Sequence, residues 1–305
     1  MGDLHAVLGA GGGIGGELVR LLAGAGRRVR AVARRPLELP RGVEQRTADL
    51  RDAEQTAAAI DGAAVVYHCA MPAYNRWPQE FPDLTRAIAA AAVKTGSGLV
   101  VADNLYAAAA HGMPIREDEP AVEHGPKART RVAMARELLA RPGLRVTFGR
   151  AADYYGPGPG ALSSIPGITL FQRAVAGEGM RWPGRLDEPH VLHHLPDLAR
   201  ALIVLGDSDV AWGRAWNLPS PPPLSGRGYA RAAGAGGRVV ALPRLALQAA
   251  GLFLPAARGV SELFWQFDRP FLVDHSAFDQ AFGPLPLTPH PDAVAATVRA
   301  HRARR

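Results

Sequence analysis

The chain has 305 residues, of which 48% are hydrophobic and 21% are charged, which excludes a mainly disordered chain and allows a large core. Its formal net charge of +7 comes almost entirely from arginines spread along the sequence, which argues against a nucleic-acid partner. The single cysteine and the absence of a signal-peptide pattern predict a cytoplasmic protein, and no apolar run reaches the roughly 20 residues that a membrane span needs.

Strands and helices alternate through the first half of the chain. Short apolar runs predict strands at His5–Leu8, Arg28–Ala33, Ala63–His68, Gly98–Ala102 and Arg145–Gly149. Helical spacing of apolar residues predicts helices at Glu17–Ala25, Ala53–Ile60, Phe81–Thr95 and Arg129–Ala140. Strands joined by helices of this length form right-handed crossovers, so we predict an α/β fold with a doubly wound parallel sheet.

A glycine-rich turn joins the first predicted strand to the first predicted helix. Gly9, Gly12 and Gly15 have the spacing GxxGxxG. Glycine allows a tight turn and lets backbone N–H groups approach phosphate oxygens, and the N-terminus of the following helix adds positive potential. The turn therefore predicts a binding site for the diphosphate of a dinucleotide.

Two arginines follow the second predicted strand. Dinucleotide sites that prefer NAD place an acidic residue here, on the ribose hydroxyls, whereas this chain has Arg34 and Arg35. Guanidinium groups bind phosphate through charge-assisted hydrogen bonds, so the sequence favours NADP(H) over NAD(H) as the cofactor. Surface charge in an arginine-rich protein is the alternative role for this pair.

The second half of the chain differs in composition. Proline and glycine interrupt shorter segments, and Pro196–Gly206 is the strongest helical pattern. We therefore predict a dinucleotide-binding Rossmann domain at 1–150 and a smaller substrate-binding lobe at 151–305 that is interleaved with the last strands of the sheet. The longest apolar stretch, Leu242–Ala257, is broken by prolines and is predicted to be a buried or interfacial helix.

Several segments together resemble the extended and atypical short-chain dehydrogenase/reductases, which include NAD(P)-dependent epimerases and dehydratases. They are VLGAGGGIG, VVYHCA, VVADNLYA, GRAADYYGPG and HVLHHLPDLARAL, so the resemblance extends over nearly the whole chain. The further contacts that it implies are Gly13 and Ile14 for the diphosphate, Asp49 and Leu50 for adenine, Ala70, Met71 and Pro72 for the nicotinamide ribose, and the turn Ala152–Gly156, with Ala152 and Tyr154, for the nicotinamide ring. An alternative role for Asp49 is to cap the helix that follows it.

The catalytic pattern departs from that superfamily. Its active members carry a YxxxK pair, in which the tyrosine moves a proton while the lysine lowers the tyrosine pKa and holds the ribose. Here Lys127 stands at the tyrosine position and Arg131 at the lysine position, and Ala102 replaces the usual serine or threonine. The candidate catalytic residues are therefore Lys127, Arg131, Asp103 and Tyr106. Lys127 can act as an acid if burial and nearby arginines lower its pKa; otherwise it is an exposed loop lysine.

Three histidines form an HxxHH pattern at positions 190, 193 and 194. No third type of ligand accompanies them in a recognisable metal motif, so we expect no metal site. The segment instead precedes a predicted helix. We therefore expect these histidines to border the substrate pocket.

The sequence is compatible with three functions. The leading hypothesis is an NADP(H)-dependent oxidoreductase that reduces a carbonyl or a conjugated C=C bond of a small organic substrate. One alternative is an NAD(P)-dependent epimerase or dehydratase that retains its cofactor, and another is a noncatalytic NADP-binding regulatory protein. We expect a small-molecule substrate and neither a nucleic acid nor a membrane as partner; a homodimer is one option for the assembly.

Overall fold

A parallel sheet of seven strands runs through the computed structural model, which describes residues 3–109, 111–234, 238–245 and 262–305. From one edge to the other the strands are β3 (Glu44–Thr47), β2 (Arg28–Ala33), β1 (Leu4–Leu8), β4 (Ala63–His68), β5 (Gly98–Asn104), β6 (Val146–Ala151) and β11 (Ala215–Asn217). The strand order reverses between β1 and β4. At such a point the carboxyl ends of the strands open a crevice, which is where α/β proteins bind ligands.

Helices cover both faces of this sheet. One face carries α2 (Ala53–Ile60), α3 (Trp77–Thr95) and α4 (Pro126–Leu139), and the other carries α1 (Gly13–Gly24) and α6 (Leu195–Asp207). Successive side chains of a strand point to opposite faces of the sheet, so each central strand contributes residues to the hydrophobic cores on both faces. In β1, for example, Leu4, Ala6 and Leu8 pack on the first face while Val7 packs on the second. The doubly wound α/β prediction is confirmed.

The second half of the chain forms a smaller assembly beside the sheet. Its elements are β7 (Tyr154–Tyr155), a π-helical turn at Gly167–Gln172, α5 (Arg173–Ala176), β8 (Met180–Pro183), β9 (Pro189–His190), β10 (His193–His194), β12 (Leu224–Ser225), α7 (Gly226–Ala232), β13 (Val239–Leu242) and helices at Ser276–Phe282 and His290–Arg302. Buried aromatic side chains fill its core. This half also contributes β11, which pairs with β6 at the edge of the main sheet.

Several predicted boundaries were wrong. Helix α1 begins at Gly13 rather than Glu17, because the glycine-rich turn itself enters the helix. Helix α3 begins at Trp77 and continues through Pro82, and β5 extends to Asn104. The apolar stretch 242–257 lies mostly outside the residues that the structure describes. No helix in the described part is both long and apolar enough to cross a bilayer.

Candidate active site

A cleft of about 890 Å³ lies along the carboxyl ends of the sheet strands. The segments that follow β1, β2, β4 and β6 line it, together with the end of β5. In a parallel sheet these ends meet at one edge, so residues distant in sequence converge there. The cleft therefore brings together most of the residues predicted from the sequence.

The glycine-rich turn forms the floor at one end of the cleft. Gly9 has a φ of +80°, and a Cβ there would come within 2.7 Å of the Ala70 backbone nitrogen. At Gly15 a Cβ would overlap the carbonyl oxygen of Gly9. No side chain caps α1 and its first turn has no acidic residue, so the first N–H groups and the positive potential there are left for a ligand. These features fit a dinucleotide diphosphate.

One end of the cleft is bordered by the arginines that follow β2. Arg34 and Arg35 are exposed, line the cleft, and form no ion pair with another residue of the described ranges. Asp49 and Leu50 line the same end. The Arg51 Nη2 atom lies 2.6 Å from Asp49 Oδ2, and the hydrogen bonds from Arg51 lower the pKa of Asp49 to about 2. Asp49 is thus a carboxylate at neutral pH.

The capping role considered for Asp49 belongs to another residue. Asp52 is the N-cap of α2, and its Oδ1 atom accepts hydrogen bonds from the backbone N–H groups of Glu54 and Gln55 at 2.9 and 3.1 Å. That prediction was therefore wrong. Asp49 remains available at the edge of the cleft.

The middle of the cleft lies between the ends of β4 and β6. Ala70, Met71 and Pro72 form one wall, and Ala152 and Tyr154 lie on the other. The Ala152 N–H donates to His193 Nδ1 at 3.2 Å, which anchors the second wall. Cys69 also lines the cleft, and burial raises the pKa of its thiol to about 12, so the thiol stays protonated.

A buried ion pair lies at the inner end of the cleft. Arg131 Nη1 is 3.3 Å from Asp103 Oδ1, and both side chains are less than a tenth exposed. The Arg131 guanidinium lies 4.8 and 4.4 Å from the ring centres of Trp77 and Phe81. Arg150 approaches the second Asp103 oxygen at 3.7 Å. The pair and the two rings hold Arg131 in a fixed position beside the cleft.

Lys127 and Tyr106 occupy different surroundings. The Lys127 Nζ atom donates to Glu262 Oε2 at 2.8 Å and lies over the Tyr74 ring, and the Lys127 backbone N–H donates to Glu262 Oε1. Lys127 is buried and is not among the described residues that line the cleft, so the exposed-loop alternative was wrong. Tyr106 does line it, and its hydroxyl accepts a 3.3 Å hydrogen bond from Tyr74.

Asp153 lies in the turn that the resemblance placed beside the nicotinamide ring, but it was not among the predicted catalytic residues. It is the second residue after β6 and lines the cleft. Its Oδ2 atom is buried and has no hydrogen-bond partner in the described part of the chain, and burial raises the pKa of the carboxyl to about 7. The available signal for a catalytic role was an acidic residue close to the end of a parallel strand, in the sequence GRAADYYG.

The three histidines of the HxxHH pattern lie behind the cleft wall. His190, His193 and His194 are buried, and none is among the described cleft residues, so the expectation that they border the pocket was wrong. Burial lowers the pKa of His190 to about 3 and that of His193 to about 4. No group of three potential ligands in the described ranges is arranged to hold a metal ion.

Comparison with known proteins agrees with this geometry. A family model described as the NAD dependent epimerase/dehydratase family matches residues 5–218, which confirms the resemblance found in the sequence. No curated protein matches the chain.

Many solved structures share the fold. MoeE5 in complex with UDP-glucuronic acid and NAD is 22% identical, with 100% of both chains covered and a TM-score of 0.74. The UDP-N-acetylglucosamine 4-epimerase from Bacillus cereus is 16% identical, with 98% of this chain and 95% of that chain covered and a TM-score of 0.74. The dTDP-glucose 4,6-dehydratase from Streptomyces venezuelae, solved with NAD, is 20% identical, with 99% and 98% covered and a TM-score of 0.76. At these identities the likeness shows the fold.

Proposed function

We propose a redox function for this chain, which belongs to the NAD-dependent epimerase/dehydratase family and is an enzyme that works with NAD or NADP. In this proposal it binds NADP(H) and reduces a carbonyl group or a conjugated double bond of a small organic substrate. The observation that carries the proposal is one continuous cleft, with an uncapped glycine turn, an arginine pair at the adenosine end and a buried inner end.

Different residues of the chain bind different parts of the cofactor. The N–H groups of the first turn of α1 bind the diphosphate, and Leu50 packs against adenine. Arg34 and Arg35 bind the 2′-phosphate that distinguishes NADP from NAD, because both guanidinium groups are exposed at the cleft and guanidinium binds phosphate through charge-assisted hydrogen bonds. Arg131, paired with Asp103, forms part of the inner wall. When bound, the nicotinamide supplies or accepts a hydride.

The cleft as a whole suits a substrate with an apolar body. Its walls include the aromatic and aliphatic side chains of Tyr74, Trp77, Ile165, Ile168 and Phe271. Ile168 is 51% exposed at this wall, so it offers apolar surface to a ligand. Burial of a ligand here excludes water from the reacting atoms and strengthens the electrostatic contacts around them.

A redox-neutral epimerase or dehydratase is the second candidate. The family match favours it, and so do two solved structures of the same fold, an epimerase and a dehydratase. Such an enzyme retains its nucleotide and regenerates it in each turnover. Mass spectrometry of the purified protein distinguishes the two: a co-purifying nucleotide that is not consumed during turnover favours the second candidate.

Calorimetric titration of the protein with NADPH and with NADH tests the proposed cofactor. We expect tighter binding of NADPH, and a loss of about 10- to 100-fold in NADPH affinity for the double variant Arg34→Ala, Arg35→Ala, since hydrogen bonds to charged groups contribute about 1.5–3 kcal/mol. Gly12→Asp should abolish binding of both nucleotides. Arg41→Ala is the matched control, because Arg41 is exposed and outside the cleft lining.

Turnover is tested by the absorbance of NADPH with a panel of aldehydes, ketones and enones. Consumption of NADPH that requires the carbonyl compound supports the reductase proposal. Absence of binding heat with either nucleotide would overturn the cofactor assignment. Bound NADPH that no compound of the panel oxidises would overturn the reductase assignment alone.

A further inference from the structure

We propose that Asp153 carries the proton for the reaction, giving it from its carboxyl group to the substrate oxygen during reduction and taking it back in the reverse direction. This inference rests on the proposed function. Asp153 is the second residue after β6, at the carboxyl end of the sheet, and borders the cleft between Ala152 and Tyr154, the residues of the predicted nicotinamide wall. The carboxyl group is thus within the part of the cleft where a reacting substrate would lie.

The backbone around Asp153 is anchored, but its carboxyl group is not used to hold the fold. The Asp153 carbonyl oxygen accepts a 2.9 Å hydrogen bond from the His193 N–H, and the preceding Ala152 N–H donates to the His193 ring. No described residue forms an ion pair or a hydrogen bond with the Asp153 carboxyl group, and its Oδ2 atom is buried. A buried polar atom without a partner costs stability, so a functional role is a reasonable explanation for its presence.

The surroundings of Asp153 favour the neutral carboxyl. Burial raises its pKa to about 7, with no charged group of the described chain offsetting that effect. The titratable groups whose pKa it influences are Tyr74, Tyr106 and Tyr154, and burial raises the pKa of each of these phenols above its usual value. Near neutral pH the carboxyl is therefore present in both forms, which suits a general acid and base.

The other candidate donors are less suited to the step. The phenols of Tyr74 and Tyr106 are weaker acids than usual, because burial raises the pKa of each. The Lys127 ammonium is held by Glu262. The Asp103 carboxyl group lies 3.3 Å from Arg131 and 3.7 Å from Arg150, so it faces two cations rather than an open part of the cleft. Asp153 is the one carboxyl of the described cleft lining whose raised pKa makes a proton available near neutral pH.

The chemical step is balanced in protons and electrons. A hydride and its electron pair add to the carbonyl carbon, and they come from the reduced nicotinamide of the proposed function, which is oxidised by two electrons. The C=O π pair moves to the oxygen, which takes the proton from the Asp153 carboxyl group and becomes an alcohol. Asp153 is left as a carboxylate, and water entering the cleft returns the proton.

Infrared difference spectroscopy of the protein without nucleotide tests the first half of this proposal. We expect a protonated-carboxyl band that disappears with a midpoint near pH 7 and is missing in Asp153→Asn. Asp209→Asn is the matched control, because the Asp209 side chain is 97% exposed and outside the cleft lining, so it should leave the band unchanged. A band for Asp153 that disappears below about pH 5 would overturn the proposal. If Asp153→Asn fails to fold, Asp153→Glu replaces it, and the band should shift rather than vanish.

Kinetics with NADPH and nitrobenzaldehyde, a generic carbonyl probe, test the second half. We expect Asp153→Asn to lower kcat by about 100-fold or more, the usual contribution of general acid catalysis, and to flatten the pH profile. The calorimetric Kd for NADPH should change by less than about twofold, because the amide retains the shape of the side chain. An unchanged rate and pH profile in Asp153→Asn, with normal NADPH binding, would overturn the role of Asp153 and leave the proposed function intact. Failure of the wild type to bind NADPH would instead overturn the proposed function.

Discussion

Replacing Asp153 with asparagine should change how the stability of the protein depends on pH. Burial raises the pKa of the folded carboxyl to about 7 from its ordinary value of 3.8. Between these values the folded state holds a proton that the unfolded state has lost, so rising pH favours unfolding. The contribution of Asp153 to stability is therefore fully present below about pH 4 and is lost as the pH rises to about 7.

The size of this effect follows from the difference between the two pKa values. Each unit corresponds to about 1.4 kcal/mol, so about three units set an upper limit of about 4 kcal/mol, which water penetration reduces. Asp153→Asn has nearly the same shape and no proton to lose. Its free energy of unfolding, relative to the wild type, should therefore rise by about 1–4 kcal/mol between about pH 4 and about pH 8.

Urea unfolding at a series of pH values measures this difference directly. Other titrating groups, such as Asp49, contribute equally to both proteins and cancel in the comparison. Asp209→Asn should follow the wild type throughout, since the Asp209 side chain is 97% exposed. Parallel stability curves for the wild type and Asp153→Asn from about pH 4 to about pH 8 would refute the reasoning, because they would show that the carboxyl has the same pKa in both states.

Three further predictions concern residues in and beside the cleft. Lys127→Ala should lower the free energy of unfolding, measured with urea, by about 3 kcal/mol, because it leaves Glu262 without its buried partner. Adding Glu262→Gln to that variant should recover part of the loss. Equal stability of the wild type and Lys127→Ala would contradict this. The Cys69 thiol, whose pKa burial raises to about 12, should resist alkylation by iodoacetamide at about pH 8, and rapid labelling seen by mass spectrometry would contradict it. Gly9→Ala should abolish the binding of NADPH measured by calorimetry. The new Cβ would lie 2.7 Å from the Ala70 nitrogen, and residue 9 has a positive φ, which alanine disfavours. Retained affinity would show that the turn does not form the site.

The central part of the fold is predictable because its strands are short apolar runs. Strands β1, β2, β4, β5 and β6 each coincide with a predicted run, and the doubly wound sheet follows from their alternation with helices. The edges of the sheet carry no such signal. Strand β3 has the polar sequence EQRT, and β11 has only three residues, so each is defined by pairing with its neighbour rather than by its own pattern.

The dinucleotide half of the site is predictable for a similar reason. Glycine spacing and the residues directly after each strand are local features, and a parallel sheet brings all of them to one edge. The surroundings of Lys127 are not local, because its partner Glu262 is 135 residues away. Asp153 was expected in the turn beside the nicotinamide ring but not as a catalytic candidate, because nothing in its sequence neighbourhood shows that its carboxyl group is buried without a partner. Burial is a property of the assembled cleft.

The arrangement of charges at the inner end explains how a proton-carrying carboxyl can exist there. A free cation near Asp153 would stabilise its carboxylate and lower its pKa. Arg131 does not have this effect, because its charge is opposed by Asp103 and its guanidinium is held against Trp77 and Phe81. Lys127 is likewise neutralised by Glu262. Each buried cation of α4 thus has its own carboxylate partner, and the carboxyl group of Asp153 is left in surroundings in which burial alone raises its pKa.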